Sequence, residues 1–225
     1  MLKGKKRFKE FNSKSKTIQS KFYSYPSDWN EYSIREIAIE KTRRNINGEK
    51  LTVLSCSKYD GFVNSLEYFG KKIFSDDTSN YKVIQKNEFG FPCNHIEEGS
   101  IGLLKHASKG IVSPIYAVFK INEEIVLPDF IYLLFKTNTY RHIFKINTNS
   151  SVDRRGSLRW KEFSLIKVPV PSIKEQEKIV LLNSYIDKEI ELHQKQLEAL
   201  KRQKKGLMQQ LLTGKKRVKP DPEDL

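Results

Sequence analysis

Two cysteines and four histidines are all that this 225-residue sequence offers to thiol or metal chemistry. Cys56 and Cys93 stand in no CxxC or Cys/His ligand spacing, which excludes a disulfide framework and a zinc site and fits two reduced thiols in a cytoplasmic protein. His95, His106, His142 and His193 share no metal-binding helical spacing, and none accompanies a nucleophile motif. The 11 glycines form no GxGxxG or GxxxxGKS loop and no glycine-rich methyl-donor pocket. Long apolar runs are missing too: the most apolar stretch, residues 125–135, is short and interrupted by Pro128 and Asp129, and the basic amino terminus has no apolar segment behind it. The expectation is therefore a chain without catalytic residues, metal or cofactor, and with no export signal or membrane span.

What the sequence does have is positive charge. A formal net charge of +14 argues for a polyanionic partner, and nucleic acid is favoured over a membrane surface because no lipid-anchor signal accompanies the charge. A hydrophobic content of 38% in a chain of this length supports one good-sized core plus an extension.

The boundaries expected from composition are a basic flexible arm over residues 1–21, a globular domain over 22–168, a long helix over 169–214 and a short tail over 215–225. Strand formers cluster at residues 51–58, 81–84, 89–93, 100–105 and 111–120, with Pro114 marking a bulge or edge in the last. Residues 59–80 read as a long loop, and Pro128 and Asp129 start a helix whose Phe130, Ile131, Leu133, Leu134 and Phe135 belong to the core. The fold class is a mixed α/β (α+β) domain followed by a long coiled-coil helix.

That helix carries the most organised pattern in the chain. Ser172 precedes Glu175 by a capping-box spacing, and Gly214 follows the last periodic residue. Asn183, Ile190, Leu197, Lys204 and Leu211 fall at heptad position a, while Ile179, Ile186, His193, Leu200 and Leu207 fall at d. In a parallel homodimer Lys204 would meet its own copy and two core ammoniums would repel. An antiparallel pair instead sets Lys204 against Ile186 and brings Asp187 near Lys201, although Asn183 then loses its partner. The alternative is an amphipathic helix folded onto its own domain.

Three polar clusters are candidate DNA contacts: Lys58, Lys71 and Lys72 around the long loop with Tyr59, Tyr68 and Phe69; Lys105, His106 and Lys109 in the next turn; and Arg154, Arg155 and Arg159 beside Trp160 and Lys161. Solvated charged loops are the alternative for each.

In their order and spacing, Gly99-Ser-Ile-Gly102, Gly110-Ile-Val-Ser-Pro-Ile-Tyr116, Pro169-Val-Pro171, Glu175-Gln176 and Leu211-Leu212-Thr213-Gly214 resemble the specificity subunit of Type I restriction-modification enzymes. The resemblance spans residues 29–214. It implies a target-recognition domain that reads double-stranded DNA, joined to a helix that spaces two such domains. It also implies that catalysis belongs to partners: a methyltransferase (modification) subunit using S-adenosylmethionine and an ATP-dependent restriction subunit. Members of that family usually carry two recognition domains and two helices, and this chain has one of each. The half-length form is expected to pair as an antiparallel homodimer or with a second half-specificity subunit, a truncated product being the other reading. A stand-alone DNA or RNA binder and a coiled-coil scaffold are the competing classes.

Overall fold

The computed structural model describes residues 6–11, 15–148 and 156–217. The chain divides into two units, Met1–Val180 and Leu181–Leu225. In the first, β1 (Thr17–Gln19) and β2 (Ser24–Pro26) form a small antiparallel ladder, followed by β3 (Asn30–Ser33), the one-turn helix α1 (Ile34–Ile37) and β4 (Ala38–Glu40). A hairpin of β5 (Leu54–Ser57) and β6 (Gly61–Asn64) leads into the short helix α2 (Ser65–Phe69). Then come β7 (Lys82–Gln85), β8 (Glu88–Pro92), β9 (Gly102–Leu103), β10 (Lys109–Val112) and β11 (Tyr116–Ile121). Helices α3 (Pro128–Phe135), α4 (Asn138–Asn147) and α5 (Trp160–Phe163) precede β12 (Lys167–Val170), which pairs antiparallel with β3, and α6 (Ile173–Leu212). The mixed α/β character read from the sequence is what the chain adopts.

The central sheet is antiparallel, in the order β4-β11-β8-β9. Directly opposed Phe89 and Phe119 stack with ring centroids 5.0 Å apart. Phe163 of α5 lies 4.6 Å from the Phe91 ring and 5.4 Å from Phe119, and within 5.8 Å of Phe135 and Phe144 on α3 and α4. Burying rings of this size supplies most of the drive for the layer of helices to cover the sheet.

The β5–β6 hairpin docks through Phe62. Gly90 and Gly102 are register partners, and a Cβ added to either would come within 2.9 Å and 2.8 Å of the Phe62 ring. The paired glycines thus make a notch that only a side-chain-free backbone leaves open.

Several expectations give way here. Residues 59–80 are not one loop, because Phe62 ties β6 into the core and Asn64 caps α2 by accepting from Leu66 N. Pro114 separates β10 from β11 rather than bulging one strand, since it has no N–H to give a ladder. The capping box at the start of α6 is only half made: Glu175 N reaches Ser172 Oγ at 3.4 Å, but the Glu175 carboxylate turns to Arg7 and Trp29 instead. Part of the basic arm is likewise built in: Arg7, with its side chain 5% exposed, holds both Glu175 (2.7 Å) and Asp28 (2.8 Å), and Thr17–Gln19 is a strand.

The second unit consists of the greater part of α6 and the turn behind it. Gly214 takes a left-handed conformation (φ 71°), and Lys216 N closes the end by bonding to Gln210 O. Ile186, Ile190, Leu197, Leu200, Leu207 and Leu211 are each 41–55% exposed along it. Two of its three polar core positions are occupied locally, Asn183 donating to Asp187 at 2.9 Å and His193 standing 3.5 Å from Glu189.

Candidate nucleic-acid interface

Three separate segments carry seven lysines and arginines and no acid: 41–44 (Lys-Thr-Arg-Arg), 82–86 (Lys-Val-Ile-Gln-Lys) and 105–109 (Lys-His-Ala-Ser-Lys). The backbone brings all three together. Val83 N donates to Arg43 O at 2.8 Å, Arg44 bridges Lys82, β7 pairs with β10, and Lys86 N donates to Ser108 O at 2.9 Å. The result is a basic ribbon of three adjacent chain segments with His106 and Lys105 exposed at its end. Self-repulsion along the ribbon is reduced by acids from outside the three segments, Lys105 standing 2.5 Å from Asp129 and Lys109 bonding Glu49. Such pairs exchange readily for phosphates in water.

One arginine in the ribbon is held differently. Glu88, only 2% exposed, accepts two bonds of 2.5 Å from Arg43 Nη2 and a third of 2.8 Å from Gln85 N. Arg43 Nη1 donates to Gln85 Oε1 at 3.0 Å. Gln85 faces Lys109 across the ladder, so Arg43, Gln85 and Lys109 stand on one side of the ribbon.

Of the residues singled out in the sequence, the structure unites Lys105, His106 and Lys109 with this ribbon. Lys58 lies in the β5–β6 turn, its Nζ 5.2 Å from the centre of the Tyr59 ring. Lys71 and Lys72 follow α2, and Lys72 is tied to Asp76. That neighbourhood is close to neutral, with three lysines against Asp60, Glu67, Asp76 and Asp77 over residues 57–77. Lys136 anchors the turn from beneath, donating to the carbonyls of Lys58 and Gly99 at 3.0 Å; burial pushes its ammonium below the usual lysine range. Arg159 and Lys161 share with Lys82 and Trp160 a cleft of about 490 Å³. Arg154 and Arg155 lie outside the described residues.

Lys41, Arg43, Arg44, Lys82, Gln85 and Lys86 are the candidates that reading the sequence missed. The Arg43-Arg44 pair was visible as a local charge run, but only strand pairing shows that it adjoins residues forty positions away. His95, Glu97 and Glu98 bring ligand atoms within 4.8 Å of one another, in a 3-10 turn where His95 Nδ1 is 3.3 Å from Glu98.

A family model for the Type I restriction modification DNA specificity domain matches residues 26–202. This covers most of the chain. The chain belongs to that family. Among curated relatives, the Type I restriction enzyme MjaVIII specificity subunit of Methanocaldococcus jannaschii is 27% identical over 197 residues, 84% of this chain and 43% of that protein. The HindI specificity subunit of Haemophilus influenzae is 26% identical over 179 residues, 74% of this chain and 37% of that one. The fold is that of the HsdS subunit from Thermoanaerobacter tengcongensis, with a TM-score of 0.64 at 17% identity over 91% of this chain and 53% of that one. The chain thus spans about half or less of the curated relatives it matches. Within the specificity domain, the matched region includes the whole basic ribbon and the first three-quarters of α6. Among the described residues no helix is long and apolar enough to cross a membrane.

Proposed function

We propose that this chain is a half-length DNA-specificity subunit that reads one half of a bipartite target and directs a methyltransferase and a restriction subunit to it. The family membership together with the basic ribbon carries this reading. Seven cations from three segments are gathered on adjacent stretches of backbone, a density of positive charge suited to a phosphate backbone. Arg159 and Lys161, which share a cleft with Lys82, extend it; Arg154 and Arg155 are DNA contacts on the strength of the sequence alone, and Lys58, Lys71 and Lys72 contribute less because their surroundings are neutral. Catalysis in this account belongs to the partner subunits, whose methyl donor and ATP are not bound by this chain.

The helix supplies the second half of the target by pairing with another copy. Residues 187–192 carry Asp187, Glu189 and Glu191 against Lys188, while 195–205 carry five cations against Glu198. Antiparallel pairing lays the acidic stretch of each helix on the basic stretch of the other; parallel pairing stacks basic on basic. The heptad side chains from Asn183 to Leu211 form the seam; Ile179, expected there from the heptad pattern, is 5% exposed and packs in the core of the first unit instead.

The test is selection of duplexes by the full chain from a randomised pool. A defined motif should emerge, with affinity for random duplex falling steeply as salt rises. A pool that stays random at every salt concentration would contradict the proposal.

A further inference from the structure

The bonds made by Arg43, Gln85 and Glu88 determine what the ribbon can recognise. An arginine has no acceptor, so the atom of Gln85 facing Arg43 must be its oxygen. Arg43 takes one of the two lone-pair sites of the amide oxygen and sets a cation beside the other, so a glutamine so engaged is a poorer match for the donor-plus-acceptor edge of adenine. The side chain of Gln85, exposed at the surface, keeps both N–H donors of its Nε2. Beside it stand the Arg43 N–H groups not spent on Glu88 and Gln85, and across the ladder the ammonium of Lys109, which bonds the exposed Glu49 carboxylate. The groups left free in this trio are mostly donors.

The trio is also pre-organised. Buried Glu88 holds the Arg43 guanidinium through both its oxygens and fixes the Gln85 backbone through its N–H, so one carboxylate sets the position of both readers. An arginine that serves phosphate alone needs no such support, whereas base reading requires a fixed direction. Arg43 keeps 40% of its side chain exposed while its anchor keeps 2%. The arrangement presents a held, outward-facing donor edge.

Resting on the proposed reading of DNA, we infer that Arg43 and Gln85 are specificity-determining residues that read a guanine in the major groove, with Glu88 as their positioning residue. Guanine alone offers two adjacent acceptors there, O6 and N7, and no donor from the same base. Lys109 takes the neighbouring phosphate or a second acceptor.

The experiment uses the full chain and the duplex selected from a random pool. Replacing each guanine in turn by 7-deazaguanine, which lacks the N7 acceptor, should weaken binding at one guanine of each half-site. Gln85→Ala should lower affinity for the selected duplex by roughly 5- to 150-fold and remove the preference for that base pair, leaving the salt dependence unchanged. Gln85→Glu, which replaces the donor by a carboxylate, should select a different base pair at that position. Glu88→Gln should blunt the same preference. Gln85 is exposed, so its variants keep the fold. If the Gln85 variants bind with the wild-type preference at every guanine, the inference is overturned and the proposed function stands. A wild-type chain that selects no motif overturns both.

Discussion

Glu175 shows how much one side chain can decide. Its carboxylate is 1% exposed and receives Arg7 at 2.7 and 2.8 Å and the Trp29 indole at 3.2 Å, so three parts of the chain distant in sequence meet at the first turn of α6. Burying a charge this deeply is tolerable only with its partners in place. Glu175→Ala leaves the Arg7 guanidinium with Asp28 alone, and should cost about 3 to 5 kcal/mol in urea unfolding. Glu175→Gln, which keeps the shape and part of the bonding, should cost less. Arg7 also bonds Asp28, where burial opposes ionisation but the guanidinium outweighs it and holds the carboxyl below its usual range. The sequence placed Glu175 in a capping box and Arg7 in a flexible arm. Neither local rule fails chemically; a tertiary cation competes for the same carboxylate and wins.

Among the elements, the long helix was the most legible, because a heptad pattern repeats locally and needs no knowledge of the rest of the fold. The ladder of β7 and β10 was the least, since its register depends on partners 24 to 30 residues apart and its function on a third segment forty residues earlier. Helix α4 was missed because Asn138-Thr-Tyr opens it with weak helix formers; Thr137 capping Tyr140 N and three buried side chains, Tyr140, Ile143 and Phe144, compensate. The seam of α6 allows a direct test of direction. Asp187 and Lys201 lie fourteen residues apart, about 21 Å along one helix, too far for a disulfide within a chain. A double variant with cysteine at both positions should crosslink into dimers on mild oxidation if the helices run antiparallel, and should stay monomeric on denaturing gels if they do not pair.

For the molecule as a whole, composition indicated a polyanionic partner, but not where it binds. Of the sequence-picked clusters, Lys105, His106 and Lys109 fall on the ribbon, whereas Lys58, Lys71 and Lys72 fall in a stretch whose own acids balance them; that balance can be counted along the sequence, but the joining of the ribbon's three segments cannot. The chain spans about half or less of the curated relatives it matches, and the proposed pairing would set two copies on two half-sites. The mass of the complex on a selected duplex, measured by sedimentation equilibrium, tests this most directly. The account predicts two chains per duplex and a selected motif of two inverted copies separated by a fixed spacer. One chain per duplex on a single uninterrupted motif would contradict it.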